Sequence, residues 1–326
     1  MMHAIRIEGG ALAYGPVPMP SPAPGEVLVK VAFAGINRAD LLQVEGKYAA
    51  PIGASPLPGL EISGSIAALG EGVIGWGVGE EVCALLAGGG YAEYVSVPVG
   101  QLLSLPARIT LKEAASLPEA VATAYMALIL EAELKQGERV LLHGGTSGVG
   151  IIMAQIASIW GAEVYATAGS GAKCAFLEKL GIHALNHRDG PFAEALKRRT
   201  DGVDVIIDTL GGPQLETHLG LLRLRGRLVN LALMEGPMAE SVKLSRILMK
   251  QLRIHGATLR SRSLAEKAQI IAGVHKFIWP HVSAGAIRPF TDAVFPLEQA
   301  EKAHARMQER LHIGKILLEV APERAE

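Results

Sequence analysis

The stretch VLLHGGTSGVGIIMAQIASIWG, residues 140–161, contains an apolar strand, a glycine-rich turn and an apolar helix in direct succession. Gly145, Gly148 and Gly150 follow the pattern G-x-x-G-x-G, and Gly161 supplies a left-handed cap where the helix ends. Such glycines let the backbone approach a pyrophosphate, to which the helix N-terminus donates free N–H groups. The stretch therefore predicts a dinucleotide phosphate-binding turn. The alternative is a turn that only packs the helix on the strand.

Beyond this stretch, β-prone and helical segments alternate along the chain. Apolar runs predict six strands, at 140–143, 163–168, 183–185, 203–208, 227–232 and 253–258. The first helix is predicted from about Gly148 to Trp160, with Ile152, Ile156 and Ile159 at helical spacing. Near-continuous apolar strands that alternate with helices are typical of a doubly wound parallel sheet, so we predict the α/β class.

The flanking regions have a different character. In the first ~110 residues, short β-prone runs are separated by Gly- and Pro-rich segments, which predicts a β region. Capping boxes that begin at Thr110 and Ser263 predict helical segments to about Glu131 and Ile278. A charged helix and a final apolar strand are predicted at 297–311 and 315–320.

Composition narrows the function class. The 326 residues include 31 basic and 32 acidic ones, for a formal net charge of −1, and 49% are hydrophobic. This balance excludes a disordered chain and a broadly electrostatic nucleic-acid binder. Two cysteines, Cys83 and Cys174, are too few for a disulfide framework or a structural zinc cage. No apolar run reaches the ~18–20 residues of a membrane span, and no leader pattern opens the chain, so we expect a cytoplasmic protein.

The end of the second strand indicates the cofactor. An NAD site usually has Asp or Glu there to bind the ribose 2′-hydroxyl, whereas residues 167–173 read TAGSGAK, without an acid. Ser170 can donate a hydrogen bond to a phosphate oxygen, and Lys173 can neutralise its charge. We therefore predict NADPH rather than NADH. Ser170 as a helix cap and Lys173 as a solvated surface residue are the simpler alternatives.

Four motifs together resemble the medium-chain dehydrogenase/reductase superfamily. They are NRAD at 37–40, GLEISG at 59–64, GTSGVG at 145–150 and DTLGG at 208–212. Within that superfamily the chain is most similar to the zinc-independent quinone oxidoreductases, the zeta-crystallin-like branch. The resemblance covers essentially the whole chain and is close around GINRADLLQVEGKY, PLPGLEISG and LHGGTSGVG.

The resemblance implies two domains and an activity. A GroES-like β domain would comprise residues 1–120 and 264–326, with a Rossmann domain at 121–263 inserted between these parts and the active site in the cleft. A homodimer formed through the Rossmann sheets is implied as well. The implied activity is hydride transfer from NADPH to a small-molecule quinone, or to another conjugated carbonyl.

The resemblance also implies that zinc is absent from the mechanism. Alcohol dehydrogenases of the superfamily carry a His-Glu pair where this chain has Leu60-Glu61, and a Cys where it has Ala34 or its neighbours. A leucine cannot ligate a metal, so no Lewis acid polarises the substrate. A quinone suits such a site, because hydride addition gives a delocalised phenolate. Glu61 is then expected to make a structural hydrogen bond or ion pair.

The site residues are implied position by position. Asn37 and Tyr48 are the candidate catalytic residues beside the nicotinamide, with Tyr48 as the candidate proton donor. The implied cofactor contacts are Asn37, Thr123, Gly145, Ser147, Gly148, Val149, Gly150, Ser170, Lys173, His187, Leu233, Leu259 and His312. His187 stands where relatives have a tyrosine against the adenosine, which keeps ring stacking but removes the hydroxyl contact.

Simpler roles are open for some of these residues. Asn37 can cap the helix that starts at Arg38, Tyr48 can lie in a surface loop, and Thr123 can bond within its helix. His143 is expected in the core, at the end of its strand.

Two other functions are alternatives to quinone reduction. A zinc-free enoyl-thioester reductase would use Tyr48 to protonate the α-carbon, and would need a basic entrance for a CoA or phosphopantetheine phosphate. The nearest dense basic set is Arg260-Ser261-Arg262, which could instead contact NADPH. An NADPH-binding protein with a structural or regulatory role is the third possibility, against which the presence of Asn37, Tyr48 and Thr123 argues.

Overall fold

The computed structural model describes residues 1–320 and divides into two compact units. Unit 1 comprises Met1–Ala122 together with the chain from Leu259 onward, and unit 2 comprises Thr123–Thr258. The domain boundaries predicted from the sequence follow residues 120 and 263, whereas the contacts within each unit place them after residues 122 and 258.

Unit 1 begins with seven strands. They are β1 (Met2–Glu8), β2 (Ala11–Val17), β3 (Glu26–Gly35), β4 (Glu61–Leu69), β5 (Glu81–Leu85), β6 (Tyr94–Pro98) and β7 (Leu102–Ser104). β1 and β2 form an antiparallel pair, in which Met2 lies opposite Val17. The larger sheet contains β3, β4, β5 and β7 in that order, and β6 pairs with β3. Helix α1 (Arg38–Val44) follows β3 directly, so the NRAD motif lies at the end of a central strand.

The helical segment predicted from Thr110 to Glu131 is broken. α2 (Leu111–Ala114) has the predicted cap, since Glu113 N–H donates to Thr110 Oγ1 at 3.2 Å. The chain then starts a second helix, α3 (Pro118–Ala124), which continues into π-helical turns at Tyr125–Glu131. Proline fits the first turn of a helix but not its interior, because it lacks the N–H donor and clashes with the preceding turn. A continuous helix over this range was therefore a wrong prediction.

Unit 2 contains the predicted parallel sheet. Its strands are β8 (Arg139–Leu142), β9 (Glu163–Ala168), β10 (His183–Asn186), β11 (Val203–Asp208), β12 (Leu222–Asn230) and β13 (Arg253–Gly256). They lie in the order β10-β9-β8-β11-β12-β13, and every neighbouring pair is parallel. This is the 3-2-1-4-5-6 order of a doubly wound sheet, which confirms the predicted fold class.

Five helices connect these strands. They are α4 (Gly148–Ile159), α5 (Gly171–Lys179), α6 (Phe192–Lys197), α7 (Leu215–Leu221) and α8 (Leu244–Lys250). Gly161 adopts a φ of +82° just after α4, as the cap prediction requires. Because parallel strands have their carboxyl ends at one edge, the glycine turn, Ser170 and Asp208 are brought to that edge of the sheet.

The chain from Leu259 returns to unit 1. Its elements are α9 (Leu264–Phe277), α10 (Trp279–Ser283), β14 (Thr291–Pro296), α11 (Ala300–Gln308) and β15 (Lys315–Glu319). Ser263 caps α9 as predicted, because its hydroxyl accepts from Glu266 N–H at 3.3 Å. β15 pairs antiparallel with β3 and parallel with β14, so the end of the described chain completes the seven-stranded sheet. Within residues 1–320, no helix has the length and apolar character needed to cross a membrane.

Candidate active site

The glycine turn after β8 is shaped by close packing. Gly144 adopts a φ of +69°, and Gly145 N–H donates to Thr167 O at 3.0 Å on the neighbouring strand. A Cβ on Gly145 would lie 2.6 Å from the Ala166 Cβ, and one on Gly150 would collide with the Gly144 carbonyl. Both glycines are therefore required by the packing of this turn, whichever ligand the turn binds.

The helix that follows the turn begins at the predicted place. Ser147 is the N-cap of α4, and its Oγ accepts from Gly150 N–H at 3.0 Å. Ser147 and Val149 are half-buried, while Gly148 is buried. The positive end of the α4 dipole coincides with the glycine turn, an arrangement that attracts an anion. The structure thus brings together the five residues predicted at the pyrophosphate.

Basic side chains gather at the ends of β9 and β10. Ser170 is the N-cap of α5 and accepts from Lys173 N–H at 3.3 Å, so its capping role is confirmed. A Cβ on Gly169 would lie 3.1 Å from His187 Nε2 and 3.7 Å from Arg188 Nε. Burial lowers the pKa of His187, and the charges of Arg188 and Lys173 lower it further, whereas the Glu235 carboxylate raises it.

Arg188 is absent from the sequence-based list of site residues. It lies two residues beyond β10, and its N–H donates to Asn186 Oδ1 at 3.2 Å, which shapes the turn there. Its position in the sequence could have indicated a place near Ser170. Arg188 follows the third strand, and the third strand lies beside the second in a doubly wound sheet.

The DTLGG motif forms a closed turn after β11. The Asp208 carboxylate accepts hydrogen bonds from Leu210 N–H at 2.7 Å, from Gly211 N–H at 3.1 Å and from Asn230 Nδ2 at 2.8 Å. A Cβ on Gly211 would lie 2.6 Å from the carbonyl oxygen of Gly236. This packing fixes the segment that contains Leu233, one of the predicted cofactor contacts in unit 2. The Leu233 carbonyl is engaged locally, because it accepts from Gly236 N–H at 3.1 Å.

Two buried histidines lie beneath the glycine turn. His143 Nε2 and His218 Nε2 are 2.9 Å apart, and His143 Nδ1 lies 3.1 Å from Thr167 Oγ1. Burial lowers the pKa of His218 to about 4 and that of His143 well below its usual value, so both are neutral at pH 7. Because Thr167 Oγ1 accepts from Gly144 N–H, its hydroxyl proton can point to His143 Nδ1, and His143 Nε2–H then donates to His218. His143 is a core residue, as expected.

These histidines and Asp208 do not fit a metal centre. Within residues 1–320, His143, Asp208 and His218 form the one group of three metal-ligating types whose ligand atoms lie within 4.8 Å. The two imidazoles already bind each other, and the carboxylate already accepts three N–H groups. The ring of Phe192 packs against His143 in a T-shaped contact at 4.9 Å. His218 Nδ1 forms no hydrogen bond and lies 3.8 Å from Asp208 Oδ2, whereas the other three ring nitrogens of the pair are hydrogen-bonded.

In unit 1, Asn37 lies at the N-cap position of α1, but its side chain does not cap the helix. The helix start is closed instead by Asp40, whose Oδ2 accepts from Asn37 N–H at 2.8 Å. The Asn37 amide faces a buried ion pair: Nδ2 donates to Glu61 Oε1 at 2.9 Å, and Oδ1 accepts from Lys315 Nζ at 2.7 Å. The side-chain cap considered from the sequence is therefore replaced by a contact with charged residues.

Glu61 and Lys315 form that ion pair in the interior of unit 1. Glu61 is fully buried and Lys315 is 4% exposed. The second carboxylate oxygen of Glu61 accepts from Glu119 N–H at 2.9 Å. This confirms the expected structural role of Glu61. A zinc ion does not fit here, because the carboxylate is neutralised by an ammonium group and the adjacent Leu60 offers no ligand atom.

Tyr48 lies in the loop after α1 and is half-buried. The Arg260 guanidinium lies 5.4 Å from the centre of its ring, and Nη1 donates to Tyr48 O at 3.2 Å. Burial raises the pKa of Tyr48, and the Glu119 carboxylate raises it further, whereas Arg260 opposes that rise. The phenol is therefore protonated at neutral pH and can act as a proton donor.

Arg260 itself is committed to the interior of unit 1. Its Nε donates to Ala87 O at 2.8 Å, and Nη2 donates to Gln43 Oε1 at 2.7 Å. Only 3% of Arg260 is exposed, so it does not offer its charge to a phosphate at the surface of unit 1.

The other predicted contacts lie in both units. Thr123 is half-buried in α3, at the first residue of unit 2. Leu259 is buried in unit 1, and its carbonyl accepts from Arg262 N–H at 3.1 Å. His312 is half-buried in unit 1, between α11 and β15.

Comparison with known proteins agrees with this architecture. The family model described as alcohol dehydrogenase GroES-like domain matches residues 23–107, and the one described as zinc-binding dehydrogenase matches residues 148–273. The chain is 32% identical over 307 residues to the quinone oxidoreductase of Sus scrofa, which covers 93% of this chain and 91% of that protein. It is 29% identical over 324 residues to the human synaptic vesicle membrane protein VAT-1 homolog, with 95% and 82% covered.

Solved structures give the same result. The CurK enoyl reductase is 30% identical, with a TM-score of 0.86 over 98% of this chain and 99% of that one. Unit 1 is accordingly a GroES-like domain and unit 2 a Rossmann domain. The chain is an oxidoreductase of the medium-chain dehydrogenase/reductase superfamily and belongs to its zeta-crystallin-like branch.

Proposed function

We propose that this protein is an NADPH-dependent reductase of quinones that works without zinc. The observation that carries the proposal is the placement of Arg188 and His187 beside Gly169, with Lys173 in the first turn of α5, where no acidic residue ends the second strand. An NAD site would place a carboxylate there, whereas a 2′-phosphate needs positive charge. The glycine turn and the N-terminus of α4 supply the pyrophosphate subsite at the same edge.

When bound, NADPH supplies the hydride, and the residues of this chain bind and orient it. Lys173 and Arg188 would pair with the 2′-phosphate, while the His187 ring would lie against the adenosine. The Ser170 Oγ acts only as an acceptor in the cap of α5, because it accepts from Lys173 N–H. Its hydroxyl proton therefore remains able to donate to a phosphate oxygen.

Reduction of a quinone requires little acid–base assistance. Hydride addition to one carbonyl oxygen or ring carbon gives a hydroquinone anion, which takes up one proton to complete the two-electron reduction. Tyr48 holds a proton at its Oη, because its pKa is raised by burial. Catalysis would then come mainly from proximity and orientation of the two reactants.

A second candidate is an enoyl-thioester reductase. The similarity to the CurK enoyl reductase favours it, and Tyr48 suits the protonation step of that reaction as well. The basic entrance that a CoA substrate needs is not provided by Arg260, whose three donor groups bind Ala87, Tyr48 and Gln43.

The choice of hydride acceptor distinguishes these functions experimentally. We expect NADPH oxidation with ortho- or para-quinones at a kcat/KM at least tenfold above that with crotonyl-CoA, in buffer with a chelator. A preference for crotonyl-CoA would favour the enoyl-thioester reductase. Tight NADPH binding without turnover of either acceptor class would favour a structural or regulatory protein.

We further propose that the protein is a homodimer that associates through its Rossmann sheets. β13 is an edge strand with Ile254 exposed, and Leu248 and Met249 of the neighbouring α8 are exposed too. Unpaired strand edges with exposed apolar side chains favour association with another strand. Light scattering should give twice the chain mass of 34.3 kDa, and Ile254→Lys should reduce it to one chain mass. A monomeric wild-type protein would contradict the dimer.

A further inference from the structure

Lys315 has its three ammonium protons matched by three acceptors. Nζ forms an ion pair with Glu61 Oε1, donates to Asn37 Oδ1 at 2.7 Å and donates to the Ile36 carbonyl at 3.1 Å. An ammonium group has three donors and no acceptor, so this set uses its full capacity. The lysine therefore has one orientation and a fixed set of partners within unit 1.

The ion pair determines which way the Asn37 amide faces. Lys315 can only donate, so the atom of Asn37 beside it must be the carbonyl oxygen; Glu61 can only accept, so the atom beside it must be the NH₂ group. A reversed amide would place NH₂ against the ammonium and oxygen against the carboxylate. The orientation of Asn37 is thus set by the chemistry of its two charged neighbours.

This orientation leaves one N–H of Asn37 without a strong acceptor in unit 1. Its nearest acceptor is the Gly35 carbonyl, at 3.4 Å from Nδ2, which is longer than the ~2.7–3.2 Å of ordinary N–H···O bonds. Asn37 is buried except for 8% of its surface. The remaining N–H is therefore the polar group of Asn37 that makes no short hydrogen bond within unit 1.

The surrounding backbone makes room for this arrangement. A Cβ on Gly35 would overlap the Glu61 carboxylate and would lie 2.7 Å from the Ala115 carbonyl. Glycine at this position lets the carboxylate approach the end of β3, where Asn37 begins the turn into α1. Lys315 reaches the same point because it opens β15, the strand beside β3.

We propose that Lys315, paired with Glu61, is a positioning residue that makes Asn37 a hydrogen-bond donor to an oxygen atom of the bound reactants. The ligand chemistry is a carbonyl or carboxamide oxygen. This inference rests on the proposed reductase function, in which Asn37 is a candidate catalytic residue.

The orientation itself can be observed without activity. The chain has only three asparagines, Asn37, Asn186 and Asn230, so selective ¹⁵N-Asn labelling gives three side-chain amide signals. We expect Lys315→Met to shift the Asn37 amide signals and speed their exchange with solvent, while the Asn230 signals of unit 2 stay in place. Lys30→Met, at an exposed lysine of unit 1, is the matched control and should move none of them.

Removal of Lys315 alone leaves a buried carboxylate and can unfold unit 1. The double variant Glu61→Gln/Lys315→Met removes both charges and is the second test of whether the ion pair fixes the orientation of the Asn37 amide. A neutral glutamine can donate as well as accept, so the Asn37 amide should lose its single orientation there too. Asn37 signals that are unchanged in both variants would overturn the proposal.

Kinetics separate positioning from general stability. We expect Asn37→Ala and Lys315→Met each to lower kcat with a quinone by about 10- to 100-fold, and the double variant Asn37→Ala/Lys315→Met to be no slower than either. NADPH affinity distinguishes the two acceptors: it should fall in all three variants if Asn37 donates to the carboxamide oxygen, and stay within about twofold if Asn37 donates to the quinone carbonyl. If the loss of kcat in the double variant equals the product of the two single losses, Lys315 does not act through Asn37, and the proposal is contradicted. A wild-type protein that reduces no quinone would refute the proposed function, while the amide signals still decide the orientation of Asn37.

Discussion

Two buried polar networks, one in each unit, differ in the charge of their members. In unit 1, Lys315 and Glu61 are both charged, and Asn37 completes their hydrogen bonds. In unit 2, His143 and His218 are both neutral and share a single proton between their Nε2 atoms. Both networks are almost completely excluded from water. Removal of a charge should therefore destabilise the network of unit 1, and addition of a charge should destabilise the network of unit 2.

Loss of one charge in unit 1 should give the largest effect. Lys315→Met leaves the Glu61 carboxylate buried without its ion pair, and such changes cost about 3–5 kcal/mol of the free energy of unfolding. The neutral double variant Glu61→Gln/Lys315→Met should recover at least half of that loss. Urea denaturation curves measure both values. Equal stability of the single variant and wild type would show that the ion pair is not coupled to folding.

Acid should destabilise the protein through the histidine pair of unit 2. His218 has a folded pKa of about 4 against about 6.5 in the unfolded chain, so the unfolded state binds more protons between these values. The stability contribution of neutral His218 is present above pH 6.5 and is lost as pH falls towards 4, by up to roughly 3 kcal/mol. We expect His218→Gln to flatten this part of the stability curve, and exposed His275→Gln to leave it unchanged.

The stability of the variant must be compared with that of the wild type, because buried groups of unit 1 also titrate in this range. Burial lowers the pKa of His304 to about 4, as it does for His218. Burial raises the pKa of Asp40 to about 6, so its contribution grows as pH falls through that value. The contributions of unit 1 are the same in both proteins, so they cancel in the difference between the unfolding free energies of His218→Gln and wild type. A difference that does not depend on pH between 6.5 and 4 would contradict the neutral histidine pair.

A smaller effect is expected from the glycine turn that covers the histidines. Gly150→Ala would press a methyl group against the Gly144 carbonyl and should destabilise the protein by about 1–3 kcal/mol, with weaker NADPH binding. Gly171→Ala, at the first residue of α5, is the matched control, since a Cβ there meets nothing within 4 Å. Thermal melts and NADPH titrations of both variants test this. A Gly150→Ala protein as stable as the control would show that the turn can relax.

The smallest expected effects concern individual charges at the proposed 2′-phosphate subsite. Lys173→Ala and Arg188→Ala should each reduce the NADPH-to-NADH ratio of kcat/KM by about tenfold, or ~1.4 kcal/mol, since each removes one charge partner. Ser170→Asp should reduce it further by repelling the phosphate. Lys179→Ala, at the exposed end of α5, is the control. Unchanged ratios in all three site variants would place the phosphate elsewhere.

The parts of the fold that local pattern determines could be predicted from the sequence. The six parallel strands and the glycine turn follow from apolar runs and from glycine spacing, which act over a few residues. The break before Pro118 was missed, because the apolar periodicity of the segment continues across it.

Contacts between distant residues could not be predicted in this way. Lys315 and Asn37 are 278 positions apart, and nothing near either residue indicates that an ammonium ion will fix the amide. Arg188 and the His143–His218 pair are similar cases, because only the order of the strands brings them to their partners. Residue types and spacing thus led to the proposed cofactor subsite, whereas the tertiary structure was needed for the charges that surround Asn37.

The proposed function is tested most directly by the affinity of the wild-type protein for NADPH and NADH, measured by titration after exhaustive treatment with a chelator. We expect one nicotinamide nucleotide per chain and at least tenfold tighter binding of NADPH than of NADH, with no change on chelation. Equal affinity for the two nucleotides, or binding that is lost with the metal, would contradict the proposed function.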